Sequence, residues 1–329
     1  MVDPKAPPTG FSMHPAAALH DPGWGHPDHQ GRLRTLASAV GKDLLTLHGH
    51  VEQVEARPAR IDPILDVHSR DHIASVRMAC ERAGGGQLEV GPETFVSGAS
   101  WDAILGSSGA ILEAVDRVMV GTLRNAFVAA RPPGHHASHA RAMGFCIVNH
   151  VAVAARHLIR SGQAERVAIV DWDIHHGNGT QEIFYTDPNV FYLSLHQSPL
   201  FPGTGSERER GKGPGEGMTL NTPLPSGTGP ESYLDHLRAA LGKAREAFQP
   251  DFILVSAGYD GLAEDPLGGF LLRPRDFHTA ARMVAEWAEE TCQGRLVASL
   301  EGGYAPEATG KAVVATLRAM AGLDPATRT

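Results

Sequence analysis

Residues 167–178 read Val167-Ala-Ile-Val-Asp171-Trp-Asp173-Ile-His175-His176-Gly-Asn178, and the fold is decided here. Val167–Val170 is a short, uninterrupted apolar run rich in β-branched residues, which suits a strand buried on both faces. It runs straight into aspartates, histidines and an asparagine. In extended backbone, residues two apart project to the same face, so Asp173 and His175 can reach one point.

Four other runs repeat this arrangement. Ala126–Ala130 leads into Arg131-Pro-Pro-Gly-His135-His136, and Val190–Leu195 into Ser194-Leu-His196. Phe252–Val255 leads into Ala257-Gly-Tyr-Asp260, and Leu296–Leu300 into Glu301-Gly-Gly-Tyr304. Helical spacing occupies Trp101–Val120, Val148–Arg160, Pro230–Phe248, Pro274–Cys292 and Pro306–Met320. The last three begin at a proline, which the first turn of a helix tolerates. Strands alternating with helices predict an α/β fold with a mostly parallel sheet covered on both faces. Ligands of such sheets bind beyond the carboxyl ends of the strands, where these five segments deliver Asp, His, Tyr and Gly together.

Nothing outside these segments points to a second domain. No repeat or interdomain linker is visible, so one domain is expected over 11–329, with residues 1–10 a frayed tail marked by Pro4, Pro7, Pro8 and Gly10. A formal charge of -8 argues against a nucleic-acid surface, which needs a basic patch. No apolar segment is long enough to span a bilayer, and no signal peptide is recognisable. Cys80, Cys146 and Cys292 are odd in number and far apart, which excludes a disulfide framework and a thiolate zinc site and suits a cytoplasmic setting. There is no G-x-S-x-G, no H-E-x-x-H and no G-K-[ST] after the glycine-rich loop 211–217.

The remaining chemistry is metal-assisted hydrolysis. Asp173 and His175, with Asp260 from another strand end, supply three protein ligands and leave a position for water, as in a catalytic zinc site. Two carboxylates and an imidazole also suit Fe(II). His135 and His136 are candidates to move protons near neutral pH. Asp171 and Asn178 could give the two rings different partners. Tyr304, after two glycines and before a helix, is placed to donate to a developing oxyanion.

In order along the chain, these motifs resemble the histone deacetylase superfamily of zinc-dependent amidohydrolases. The resemblance includes His26-Pro27 with Arg32, Arg131–His136, Met143-Gly-Phe-Cys146, Asp171–Gly179, Ser194–His196, Ala257–Asp260, Asp265-Pro-Leu-Gly268 and Glu301–Tyr304, and it covers about His14 to Leu317. It implies an arginase-like fold with an eight-stranded sheet. It also implies Asp173, His175 and Asp260 as ligands of one Zn2+, Tyr304 as oxyanion donor, and His135 and His136 as a pair backed by Asp171 and Asn178. His136 would be the general base and acid, although the residues alone leave that division open.

The same resemblance implies a substrate channel walled by Phe145 and Phe201, with Gly144 accepting the substrate amide, and a product cavity lined by Arg32. It implies a structural K+ held by Asp171, Asp173, His175, Ser194 and Leu195, and a second near Phe184, Asp187 and Val190. Asn178 and Glu301 are similar to class II enzymes. Leu267 stands where polyamine-selective relatives carry a glutamate, which favours acyl-lysine, in a protein, a peptide or a small acylated amine. Acetylpolyamine hydrolysis and non-catalytic acyl-lysine binding are the alternatives. Hydroxamates are expected inhibitors, neither nucleic acid nor membrane is an expected partner, and a homo-oligomer is left open.

Overall fold

The structure, a computed structural model, describes residues 7–325. Its strands are β1 (Thr9–Ser12), β2 (Val51–Gln53), β3 (Leu88–Gly91), β4 (Thr94–Val96) and β5 (Asn125–Val128), followed by β6 (Val167–Asp171), β7 (Val190–Gln197), β8 (Thr219–Leu224), β9 (Phe252–Ala257) and β10 (Leu296–Leu300). Eight form one sheet in the order β2-β1-β5-β10-β9-β6-β7-β8. Every pairing within it is parallel. The five apolar runs read from sequence are the five adjacent strands at its centre, so their polar extensions emerge side by side.

Side chains alternate between two cores, as the period of a strand requires. Phe127, Val170, Leu193, Val255 and Ala298 face a layer built from Gly31–Lys42, Pro230–Ala247, Pro274–Cys292 and Pro306–Met320, through residues such as Leu36, Leu241, Trp287 and Leu317. Val128, Ile169, Tyr192, Leu254 and Val297 face the helices Arg70–Ala83, Ser100–Met119 and His150–Arg160, through Val76, Ile111 and Val151. Truncating a residue such as Leu254, which is fully buried, would cost about 2–5 kcal/mol.

Two expectations shift. Residues 1–6 of the expected tail lie outside the described residues, but Thr9 and Gly10 form half of β1, paired on both sides. Gly10 is needed there for close packing, because a Cβ would lie 2.7 Å from Leu123 Cδ1. The helix expected from Val148 starts at His150, because Asn149 caps it, its Oδ1 accepting from Ala152 N–H at 3.0 Å.

A separate antiparallel hairpin, β3 and β4, lies outside the large sheet. Among the described residues no helix is long and apolar enough to cross a membrane.

Candidate active site

Beyond β6 the chain leaves extended pairing, and Asp173 and His175 turn toward Asp260, which follows β9. One ligand atom from each lies within 4.8 Å of the others. His175 Nδ1 lies 2.9 Å from Asp260 Oδ2 and 3.2 Å from Asp173 Oδ1. Backbone amides fix both carboxylates: Ile174 N–H donates to Asp260 at 2.9 Å, and Gly302 N–H donates to Asp173 at 2.8 Å. Only glycine fits beside them. A Cβ at Gly302 would lie 2.2 Å from Asp260 Oδ2, and one at Gly258 would lie 2.1 Å from Asp173 Oδ2.

Two fully buried carboxylates facing one imidazole form an oxygen-rich cradle that fits a divalent cation such as zinc or Fe(II). Burial disfavours the charged form of His175, but hydrogen bonds to Asp173 and Asp260 outweigh it and push the ring up to about 10. Burial and the neighbouring Asp173 charge raise Asp260.

The two catalytic candidates on the β5 loop have different partners. His135 Nδ1 meets Asp171 Oδ2 at 3.1 Å, and His136 Nδ1 meets Asn178 Oδ1 at 2.8 Å. Burial opposes charge on His135, but Asp173 and Asp171 overcome it and push the ring up to about 10. His136 is driven well below its ordinary range by burial and by the charges of His135 and His175, and the Asn178 amide restores little. The two neighbouring rings are thus shifted in opposite directions, His135 upward by its carboxylates and His136 downward by burial and the charges beside it.

Glu301 anchors this loop from β10. It accepts from Gly134 N–H at 2.6 Å, His135 N–H at 3.1 Å and Ser256 Oγ–H at 3.1 Å.

A cavity of about 510 Å³ opens above these groups. Its lining includes His135, His136, His175, Tyr304, Gly144, Phe145, Phe201 and Leu267. Phe201 meets the His136 ring edge-on at 5.1 Å, and Phe145 meets Tyr304 edge-on at 5.6 Å. Tyr304 is fixed through its backbone, because Asp265 accepts from the N–H groups of Tyr304 and Ala305 at 2.5 and 3.2 Å.

Arg32, expected to line a separate internal cavity for the product, is buried behind Tyr304. It donates to the carbonyls of Gly303 at 2.7 Å and Glu301 at 2.6 Å and to Asp28 at 2.6 Å, with its guanidinium 4.7 Å from the Tyr304 ring.

The expected potassium ligands are less distinctive. Asp171 and Ser194 face each other in register across β6 and β7, with Leu195 adjacent. At the second position, the Asp187 carboxylate is taken up by Arg156 at 2.9 Å and by Asn189 N–H at 2.9 Å, and Arg156 also covers the Phe184 ring.

Several participants have no sequence role assigned above. Asp28 is the buried acceptor shared by Arg32 and Arg131, and its spacing of four residues from Arg32 was the available signal. Glu89 and Glu93 of the hairpin line the exposed side of the cavity. No local pattern pointed to them.

The histone deacetylase domain family matches residues 26–320. The chain is 37% identical over 317 residues to a probable deacetylase of Archaeoglobus fulgidus, covering 96% of this chain and 87% of that protein. It is 35% identical over 323 residues to a histone deacetylase-like amidohydrolase of Pseudomonas aeruginosa, covering 98% and 82%. The crystal structure of the HDA15 HD domain superposes with a TM-score of 0.89 at 31% identity, covering 98% of this chain and 90% of that one.

Proposed function

The chain belongs to the histone deacetylase family, and on that footing we propose that it is a zinc-dependent lysine deacylase, hydrolysing a short acyl amide on a lysine side-chain amine. The observation that carries this reading is the Asp173–His175–Asp260 cluster beneath a cavity lined by an unequally partnered histidine pair and Tyr304. A zinc ion held by those three residues supplies Lewis acidity toward the acyl carbonyl and the attacking water.

The chain's own groups do the rest. His136, kept neutral beside the Asn178 amide, takes a proton from water at Nε2 and returns it to the departing amine. His135, paired with Asp171, contributes positive charge. Tyr304 donates its phenolic hydrogen to the oxygen where negative charge develops, from a position braced by Asp265 and Arg32. Phe145 and Phe201 exclude water from an aliphatic stem. The apolar Leu267 favours a neutral stem there. Support for potassium rests on the cross-strand pairing of Asp171 with Ser194.

A second reading, hydrolysis of acylated polyamines, draws on Glu89 and Glu93, whose carboxylates would attract a second cationic group. Zinc-loaded protein assayed on an acetyl-lysine peptide and on acetylpolyamines decides between them, with a chelator-treated control. Turnover of the peptide that chelation abolishes and zinc restores is expected. Acetate release from polyamines alone would overturn the lysine assignment.

A further inference from the structure

The wall residue Phe145 has an uncommon backbone. Its φ is +69° and that of Gly144 is +55°, so both central residues of this tight turn occupy the left-handed region. Met143 and Cys146 close the turn, with Met143 N–H donating to Cys146 O at 3.1 Å and Cys146 N–H donating to Met143 O at 2.9 Å. Mirror-image turns of this kind suit Asn-Gly, and a bulky residue held there is strained. Their two central amides also point away from the turn and need outside acceptors.

The β3–β4 hairpin supplies both acceptors. Gly144 N–H donates to Pro92 O at 3.1 Å, and Phe145 N–H donates to Thr94 Oγ1 at 3.0 Å. The Thr94 hydroxyl in turn donates to Pro92 O at 2.9 Å, and Thr94 is fully buried. One side chain outside the large sheet therefore fixes the backbone of one cavity wall. The Phe145 ring then packs edge-on to His26 at 4.5 Å and to Tyr304.

We propose that Thr94 is a positioning residue that determines specificity, its hydroxyl holding Phe145 in the left-handed conformation so that the ring forms one side of a slot for a linear aliphatic stem. This deepens the deacylase reading by assigning the grip on the stem to the hairpin, separately from the metal cluster. Without the hydroxyl, the Phe145 amide loses its acceptor and the strained backbone its restraint, so the ring leaves the stem. The metal-ligand candidates, the histidine pair and the Tyr304 backbone keep their hydrogen bonds, none of which involves Thr94.

Thr94→Val keeps the shape and removes the hydroxyl, whereas Thr94→Ser keeps the hydroxyl. Two hydroxamates serve as probes on zinc-loaded protein: acetohydroxamate, which has no stem, and one with a six-carbon aliphatic stem. For Thr94→Val the long-stem compound should bind about tenfold more weakly, with acetohydroxamate unchanged within about twofold. KM for an acyl-lysine peptide should rise about tenfold, with kcat within about threefold of the parent. Thr94→Ser should match the parent in all three. Equal weakening of both hydroxamates by Thr94→Val, an unchanged long-stem affinity, or Thr94→Ser as impaired as Thr94→Val would each overturn the assignment. Thr94→Ala is read the same way if the valine variant does not fold. The binding arm needs no turnover, so its failure is separate from failure of the deacylase reading.

Discussion

Glutamine at position 301 would remove a titrating carboxyl from beneath the histidine pair while keeping its shape. Glu301 is pushed up from 4.5 to about 7, first by burial and then by the Asp171 and Asp173 charges, against the opposing pull of His135 and the Gly134 N–H. A carboxyl raised on folding stabilises the protein fully only below its unfolded value, and that stability is lost as pH rises through the folded value. Between pH 5 and 8 the loss amounts to about 2–3 kcal/mol at 1.36 kcal/mol per pH unit. The amide can keep the local hydrogen bonds, its oxygen accepting from Gly134 and His135 N–H and its NH2 donating to Ser256 Oγ. Urea unfolding of metal-stripped wild type and Glu301→Gln at pH 5, 6, 7 and 8 measures the effect. The variant should gain about 2–3 kcal/mol on the wild type across that range. Zinc should shrink the gain, because a nearby dication favours the ionised carboxylate. A stability difference that does not change with pH would refute the reasoning.

Tyr304→Phe should lower kcat by about 10²–10³ with zinc content unchanged, the loss expected for one oxyanion donor, as measured by steady-state kinetics and metal analysis. Asn178→Asp should place a carboxylate against His136 Nδ1 and raise that ring's pKa. Because the ring must be neutral to accept a proton, the acid limb of the pH–rate profile should move to higher pH by about one unit or more.

Legibility from sequence followed burial. The five central strands are enclosed on both faces, so they read as unbroken apolar runs. The outer strands do not: β2, at one edge, is largely exposed, its neighbour β1 is only four residues long and contains Gly10, and β8, at the other edge, carries Pro223, a residue tolerated there. The metal cluster was visible because its members sit at or just beyond those central runs. Groups that act on backbone amides or on distant arginines left no such trace. Asp28 reaches Arg131 across 103 residues, Asp265 works through the amides of Tyr304 and Ala305, and Thr94 lies in a hairpin too short to show a period.

Charge balance gives the cluster its chemical meaning. Asp171, Asp173, Asp260 and Glu301 are all buried at the ends of adjacent strands. The two buried arginines nearby do not neutralise them, because Arg32 and Arg131 converge on Asp28. Against the opposing effect of burial, the surrounding carboxylates push His135 and His175 up to about 10, while burial pushes Glu301 up to about 7. Asp173, His175 and Asp260 would hold a divalent cation, whose charge would offset the repulsion among these carboxylates. Acidic residues alone are common on proteins. Two carboxylates with no room for a Cβ beside them, held by backbone amides and facing one imidazole, form the compact donor set that a divalent cation would require.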